Sequence, residues 1–277
     1  MSVLLQISDA HFGTEKPAVV EALVALTGEL APDLVIMSGD ITQRARTYQF
    51  ERAAAFVKRL PVPRVLSIAG NHDIPLFDLV TRFRDPYGGY RRAFGDELEP
   101  RHEAPDCLVL TVKTTRRSRH TDGEISEEQR ERVAAELRRA TLAQVRIVVT
   151  HQPLAVPRAA EVHNVAHGSD EAVRAWAAAG ADVLLAGHIH LPFVIPLHES
   201  TELPRSLWAV NAGTAVSTRT RRDAKNSVNV LRVTSGSNGA LPSCTVEHWG
   251  FSEPSGAFAK AAELSLRLGP PSGVARA

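Results

Sequence analysis

The chain has 277 residues, of which 44% are hydrophobic and 23% are charged, an ordinary composition for a globular protein in water. Its 32 basic and 31 acidic residues leave a formal net charge of +1, which excludes a global attraction to nucleic acid or to an anionic membrane. The sequence has no apolar run near the ~20 residues of a membrane helix, contains only two cysteines and shows no targeting segment. We therefore expect a cytoplasmic protein without a membrane partner.

The first part of the chain alternates short apolar runs with helical patterns. The apolar runs at residues 3–7, 34–37 and 65–68 predict buried strands. Residues 17–30 and 48–60 have apolar side chains at helical spacing; Pro17 begins the first segment, and prolines follow both. This strand–helix alternation predicts a parallel sheet with right-handed crossovers.

The same alternation continues up to about residue 190 and then changes. Further strands and helices are predicted, in chain order, as strand 107–112, helix 126–140, strand 146–150, helix 169–179 and strand 183–186. Residues 74–101 predict short helices over the site entrance. After residue 190, polar turns separate short runs that predict antiparallel strands at 193–197, 207–210, 228–233 and 244–249.

The end of the chain has a different pattern. Residues 257–268 have a weak helical pattern, and a stretch rich in Gly, Pro and small residues follows. We therefore expect one domain over residues 1–250 and a tail over 251–277 that is partly helical or disordered.

Five of the predicted strands end in His, Asp or Asn, where a covered sheet presents its ligands. The candidate metal ligands at these strand ends are Asp9, His11, Asp40, Asn71, His151, His188 and His190. If these side chains were buried together without a cation, their polar groups would be left without partners. Imidazole with carboxylate suits zinc, manganese and iron. Seven groups are too many for one tetrahedral zinc but fit two ions that share a carboxylate, an arrangement used for phosphoryl displacement by a bridging hydroxide.

The order of these motifs resembles the calcineurin-like metallophosphoesterase superfamily. The motifs are Asp9-x-His11, Gly39-Asp40, Gly70-Asn71-His72-Asp73, the lone His151, and Gly187-His188-x-His190. The resemblance covers residues 3–190 by motif and extends by pattern to about 250. It implies an α/β fold, a four-layer α-β-β-α sandwich with two packed mixed β-sheets.

The resemblance also implies how the ligands are divided between the two ions. One ion would be held by Asp9, His11, Asp40 and His190. The other ion would be held by Asp40, Asn71, His151 and His188, with Asp40 bridging. His72 would contact the substrate phosphate and protonate the leaving oxygen, a role that suits a side chain titrating near neutral pH.

One motif departs from the pattern of the Ser/Thr protein phosphatases, which is Gly-Asp-x-x-Asp-Arg-Gly. Here Gln43 stands at the second Asp and Ala45 at the final Gly, while Arg44 is in register. The chain therefore resembles the bacterial branch of cyclic-nucleotide and glycerophosphodiester phosphodiesterases. Members of that branch often contain the motif Thr-His-x-Pro, which is present here at residues 150–153. We expect a phosphodiesterase, with cyclic nucleotides as the first substrate class to consider.

Three further residues are candidate substrate contacts: Arg44, His163 and His167. The two histidines follow His151 in a long loop near the predicted site. The expected partner is a small phosphate ester, and homo-oligomerisation stays open. The alternatives are a phosphomonoesterase, a nucleotide-sugar pyrophosphatase or an exonuclease of the same fold, or a protein-binding scaffold without catalysis.

Overall fold

The computed structural model describes residues 1–221, 224–237 and 239–270. Across those residues, none of the helices is both long enough and apolar enough to cross a membrane. The strands within them are β1 (Ser2–Ile7), β2 (Leu34–Met37), β3 (Val65–Ser67), β4 (Arg101–Glu103), β5 (Cys107–Thr111), β6 (Val145–Val149), β7 (Val183–Ala186), β8 (Phe193–Pro196), β9 (Trp208–Asn211), β10 (Ser227–Thr234), β11 (Ser243–Ser252) and β12 (Ala257–Leu266). The α-helices are α1 (Pro17–Leu30), α2 (Thr47–Arg59), α3 (Leu79–Arg84), α4 (Gly88–Phe94), α5 (Glu127–Arg139), α6 (Ser169–Ala179) and α7 (Leu197–Ser200).

The strands form two six-stranded mixed sheets. The first sheet has the order β12-β11-β10-β1-β2-β3, with β1, β2 and β3 parallel and the other neighbours antiparallel. The second has the order β4-β5-β6-β7-β9-β8, with β5, β6, β7 and β9 parallel between antiparallel edge strands. Two mixed sheets were expected, and this prediction is confirmed.

Three apolar layers show how the sheets and helices stack. One layer joins the first sheet to α1 and α2, a second joins the other sheet to α5 and α6, and a third lies between the sheets. The alternation along β1 illustrates the packing, because Leu5 faces the helices whereas Leu4 faces the other sheet. The result is the expected four-layer α-β-β-α sandwich.

Local sequence explains where the longer helices begin. Pro17 occupies the first turn of α1, where a missing N–H costs nothing. Ser126 caps α5, since its Oγ accepts the backbone N–H of Gln129 at 3.2 Å. Each helix turns an apolar face to a sheet, and burying one Leu or Val side chain contributes about 1.5–3 kcal/mol.

One expectation about the second half is wrong. Residues 257–266 form a strand, β12, which pairs with β11 through nine residue pairs with a bulge at His248/Trp249. Their Ala, Leu, Lys and Glu content favours a helix locally, but the free edge of β11 offers a complete row of hydrogen bonds. The antiparallel pairing expected between β8 and β9 is present, and β9 also pairs parallel to β7, because β8 and α7 carry the chain back before β9 begins. The disorder expected at the end of the chain falls on residues 271–277, which lie outside the described residues.

Candidate metal centre

The strand-end residues of the two sheets converge at one edge of the sandwich. Ligand atoms of one group lie within 4.8 Å of one another, and its members are Asp9, His11, Asp40 and His190. Ligand atoms of a second group also lie within 4.8 Å, and its members are Asp40, His151 and His188. Asn71 joins the second group, since its Oδ1 lies 3.2 Å from His151 Nε2. The seven residues predicted as ligands are thus brought together, with Asp40 common to both groups.

Most of these residues have a strained backbone. Among the described residues, seven that are not glycine have positive φ, and five of them belong to the two groups: Asp9 (51°), His11 (43°), Asp40 (48°), His188 (69°) and His190 (55°). Asp and His tolerate this left-handed region better than most residues, yet each instance still costs about 1–3 kcal/mol. Strain concentrated at one sheet edge indicates that the surroundings hold these side chains in place for a function.

Two glycines permit the close approach of the loops. A Cβ on Gly187 would collide with the Ser8 hydroxyl and the Asp9 carboxylate, which come from the other sheet. A Cβ on Gly70 would collide with the backbone and carboxylate of Asp40. Larger residues at either position would therefore push the two groups apart.

A buried carboxylate fastens the loops of the first sheet. Asp73 accepts hydrogen bonds from the backbone N–H groups of Gly70 (2.9 Å), Ile41 (3.0 Å) and Thr42 (2.7 Å). Burial and the nearby charge of Asp40 raise the pKa of Asp73 to about 6, although these N–H donors oppose the rise. Asp73 thus ties the loop after β2 to the loop after β3.

The structure adds a buried polar residue beneath the site that the sequence analysis did not single out. Gln6, on the face of β1 that meets the other sheet, donates to Ser38 Oγ (3.1 Å) and to the carbonyl of Ala186 (2.9 Å). Asn229 donates in turn to Gln6 Oε1 at 3.0 Å. In the sequence, Gln6 and Asn229 are each recognisable as a polar residue inside an otherwise largely apolar strand. Through them the ends of β1, β2 and β7 are joined.

Hydrogen bonds also orient the imidazoles. His151 Nδ1–H donates to the Ser38 carbonyl at 2.9 Å, and His190 Nδ1–H donates to the Arg219 carbonyl at 2.6 Å. Because a carbonyl only accepts, both Nδ1 atoms carry the proton and both Nε2 atoms are left to face the carboxylates. Nε2 of His151 lies 3.2 Å from Asp40 Oδ1, and Nε2 of His190 lies 3.2 Å from Asp9 Oδ1. Such outer partners are what metal-binding histidines ordinarily have.

The electrostatics keep most of these groups in the form that binds metal. Burial raises the pKa of Asp9, but the charge and hydrogen bond of His190, together with the charge of His151, outweigh burial and lower it to about 2. The pKa of Asp40 is held well below its usual range, because the charges of the surrounding histidines overcome its burial. Burial lowers the pKa of His11 to about 3 and, with the charge of His151, that of His188 to about 4. Metal binding requires such ionised carboxylates and neutral imidazoles.

The donor set fits divalent cations. Within the described part of the chain, Asp9 Oδ1 and the Nδ1 atoms of His11 and His188 are buried without a hydrogen-bond partner. The Nε2 atoms of His11 and His190 face each other at 3.1 Å. A buried cluster of acceptors costs free energy unless a cation satisfies it, and nitrogen with carboxylate oxygen suits zinc, manganese or iron.

His72 lies beside these groups with its ring directed elsewhere. Its backbone N–H donates to Asp40 Oδ1 at 2.8 Å, while its ring packs edge-on against His11 with centroids 4.9 Å apart. The ring Nδ1–H donates to the Gln43 carbonyl at 2.9 Å, which leaves Nε2 available for another partner. This position suits a group that acts on substrate.

The three candidate substrate contacts lie on the surface. Arg44 is exposed and holds its guanidinium over the Phe77 ring, 5.5 Å from the centroid. His163 is exposed in a 3-10 turn at Ala159–Asn164. His167 is exposed, and its Nε2 lies 3.1 Å from Arg119 Nη1. Their assignment to substrate stays a prediction.

Arg219, which carries no recognisable motif, contacts His72 in the structure. Its Nη1 lies 3.1 Å from His72 Nε2 and 3.2 Å from Gln43 Oε1. No spacing in the sequence relates it to the strand ends, because it comes from the loop after β9. Only the folded chain brings it to the site.

Comparison with known proteins agrees with this geometry. The family model for the calcineurin-like phosphoesterase superfamily domain matches residues 1–236. The chain belongs to this superfamily. Its fold and its candidate ligands are those of a metal-dependent phosphoesterase. No curated protein sequence matches the chain.

Several solved structures share the fold at low sequence identity. A purple acid phosphatase from yellow lupin (Lupinus luteus) seeds is 12% identical with a TM-score of 0.69, and the match covers 95% of this chain and 53% of that one. The chain thus spans about half the length of the lupin enzyme. A dimetal phosphatase from Danio rerio is 12% identical with a TM-score of 0.63, covering 96% and 98% of the two chains. A mutant of Vps29 from Entamoeba histolytica is 10% identical with a TM-score of 0.51, covering 96% and 99%.

Proposed function

We propose that this protein is a dinuclear metal-dependent phosphodiesterase. The observation that carries the proposal is the position of Asp40, whose carboxylate belongs to both groups of candidate ligands. A carboxylate shared in this way supports two neighbouring cations, and paired cations are the usual arrangement for displacement at phosphorus.

The ligands divide between the two ions as their grouping suggests. One ion would be held by Asp9, His11, Asp40 and His190. The other would be held by Asp40, Asn71, His151 and His188. Manganese, iron and zinc all suit these donors. When bound, such cations acidify water and neutralise the charge of the phosphoryl oxygens.

The side chains of the chain itself then have distinct tasks. In hydrolysis, a water molecule gives up one proton to the solvent as its oxygen bonds to phosphorus, the bond from phosphorus to the leaving oxygen breaks, and that oxygen takes up a proton. We assign the donor of this last proton to protonated His72, because its Nε2 lies beside the ligand groups while Nδ1 is fixed on Gln43. Asp73 holds the loops that carry Asp40 and His72.

The preference for a diester rests on the loop that follows Asp40. Gln43 and Ala45 replace residues of the protein-phosphatase pattern, which favours the phosphodiesterase branch. Cyclic nucleotides are the first substrates to test, with Arg44, His163 and His167 as candidate contacts. The turn that carries His163 is held toward the site by Glu161, which pairs with Arg221 at 2.8 Å, while Arg221 donates to the Ile189 carbonyl. We also propose a cytoplasmic enzyme, since both cysteines are free, and a small phosphate ester as substrate, since the balanced charge gives no general attraction to nucleic acid.

A substrate panel tests this proposal. The protein is reconstituted with manganese, iron or zinc, and its kcat/KM is measured on bis-nitrophenyl phosphate, nitrophenyl phosphate and cyclic nucleotides. We expect the aryl diester to be turned over with higher specificity than the matching monoester. The reverse ranking over a range of pH would indicate a phosphomonoesterase. No turnover of any phosphate ester by protein that holds its metals would indicate a non-catalytic role.

A further inference from the structure

The guanidinium of Arg219 contacts only neutral acceptors among the described residues. Its Nη1 donates to Gln43 Oε1 at 3.2 Å and lies 3.1 Å from His72 Nε2. Since His72 Nδ1–H donates to a carbonyl, Nε2 is the acceptor of the Arg219 N–H in the neutral ring. No carboxylate lies within ion-pair distance of this guanidinium in the part of the chain that the structure describes.

Two arginines beside the candidate contacts His163 and His167 behave differently. Arg221 pairs at 2.8 Å with Glu161, from the turn that carries His163, and Arg119, which contacts His167, pairs with Glu124 at 2.8 Å. A guanidinium already paired with a carboxylate has little to offer an incoming anion, whereas one held by neutral acceptors gains a bond to a charged acceptor when an anion arrives. Of these three arginines, Arg219 is therefore the one prepared for an anion.

The backbone of Arg219 is fixed beside the ligands. Its carbonyl accepts hydrogen bonds from His190 Nδ1 (2.6 Å) and from Thr214 Oγ1 (3.0 Å), and its N–H donates to Ser217 Oγ (3.2 Å). Thr214 and Ser217 are both buried. The side chain thus starts next to one candidate ligand and ends next to His72, while remaining half-exposed to the cleft.

We propose that Arg219 binds the phosphoryl group of the substrate. This inference rests on the proposed function and extends it, because it names a phosphate contact on the side of His72. In the free protein, the guanidinium is held by the neutral acceptors of Gln43 and His72. A phosphoryl oxygen, which carries negative charge, replaces them with a stronger bond. His72 Nε2 then no longer accepts from Arg219 and is free to take up the proton that it gives to the leaving oxygen.

The test uses inorganic phosphate as a probe alongside turnover. Arg219→Ala removes the guanidinium but keeps the carbonyl that orients His190, so metal content should stay at the wild-type value. We expect the dissociation constant for inorganic phosphate, measured by calorimetry on metal-loaded protein, and the KM for bis-nitrophenyl phosphate to rise roughly 10- to 100-fold. Arg219→Lys should recover part of this loss, because it keeps the charge without the planar fork.

A second variant tests the same idea without removing the arginine. Gln43→Glu places a carboxylate against Arg219 and should raise the dissociation constant for phosphate in the same direction. Arg59→Ala, which removes an exposed arginine paired with Glu21, is the matched control and should leave phosphate binding unchanged.

Two results would overturn the inference. One is unchanged phosphate binding by Arg219→Ala with its metals in place. The other is loss of metal in this variant, which would mean that Arg219 acts only by supporting His190. Phosphate binding is measured without turnover, so it reports on Arg219 even if every substrate in the panel fails. Failure of the proposed function and failure of this inference are therefore separable.

Discussion

The two ends of strand β7 bury charged groups in opposite ways. Asp182 directly precedes the strand, and His188 and His190 follow it. At the amino end, Asp182 Oδ2 accepts the backbone N–H of Arg146 at 2.9 Å, and Oδ1 pairs with the guanidinium of Arg205. The side chain of Arg146 is also buried there and donates to the Gly180 carbonyl at 3.0 Å. The chain itself supplies the cations at this end.

At the carboxyl end the chain supplies acceptors. Within the described ranges, no lysine or arginine lies within ion-pair distance of Asp9 or Asp40, whose partners are histidines. Burying a carboxylate costs several kcal/mol unless a cation offsets it. The buried acid at the amino end, which pairs with an arginine of the chain, is therefore structural. The buried acids and imidazoles at the carboxyl end have no such partner within the same ranges and are arranged for a cation from solution.

Removing the shared carboxylate should have the largest effect. Asp40→Ala takes one ligand from each ion, so we expect metal content to fall at both sites and turnover to fall to background. The loss should exceed the roughly 10- to 100-fold that follows when a residue merely orienting a ligand is replaced. Elemental analysis after reconstitution measures the metal content, and kcat/KM on an aryl diester measures the turnover. Two tightly held ions in Asp40→Ala would show that Asp40 does not bridge.

Replacing His72 should slow chemistry but leave the ions in place. If His72 protonates the leaving oxygen, His72→Ala should lose roughly 10²- to 10⁴-fold in rate on alkyl diesters. The loss should be smaller on nitrophenyl esters, whose leaving group needs little protonation. Rates on both leaving groups are compared alongside metal content. Equal losses would reduce His72 to a binding residue, and lost metal would place it among the ligands.

The same kind of truncation at the other end of β7 should affect stability only. Burial raises the pKa of Asp182 despite its arginine neighbours, so this pair is dominated by desolvation. Asp182→Ala leaves the Arg205 guanidinium without its carboxylate and the buried backbone N–H of Arg146 without its acceptor, and should lower the free energy of unfolding by about 3 kcal/mol. Asp182→Asn keeps an acceptor for Arg146 N–H and should cost less.

Urea unfolding measures this change, with metal content and kcat/KM as the readouts that should not move. A fall in metal content in Asp182→Ala, at protein concentrations where it remains folded, would contradict the separation of the two ends. The amino and carboxyl ends of β7 would then act as one unit.

The sequence predicted the strand ends well because a buried strand leaves a strong local signal. Apolar runs ended by Gly, Asp, Asn or His marked β1, β2, β3, β6 and β7, and their shared edge followed from the parallel arrangement. Prediction failed where pairing outweighed local preference. Residues 257–266 have helical composition, yet the ladder offered by β11 makes them a strand.

The amino-acid pattern alone predicted the seven candidate ligands, the position of His72 after Asn71 and a strand–helix alternation with a parallel sheet. The family resemblance of the ordered motifs added the two layered sheets and the shared Asp40. These depend on short-range patterns and their order, which can be read along the chain. The folded structure was needed to show that Gln6 and Asn229 join the sheets beneath the site and that Arg219 reaches His72. Each of these contacts joins residues that are distant along the chain. Their proximity depends on how the two sheets pack, which no local spacing records.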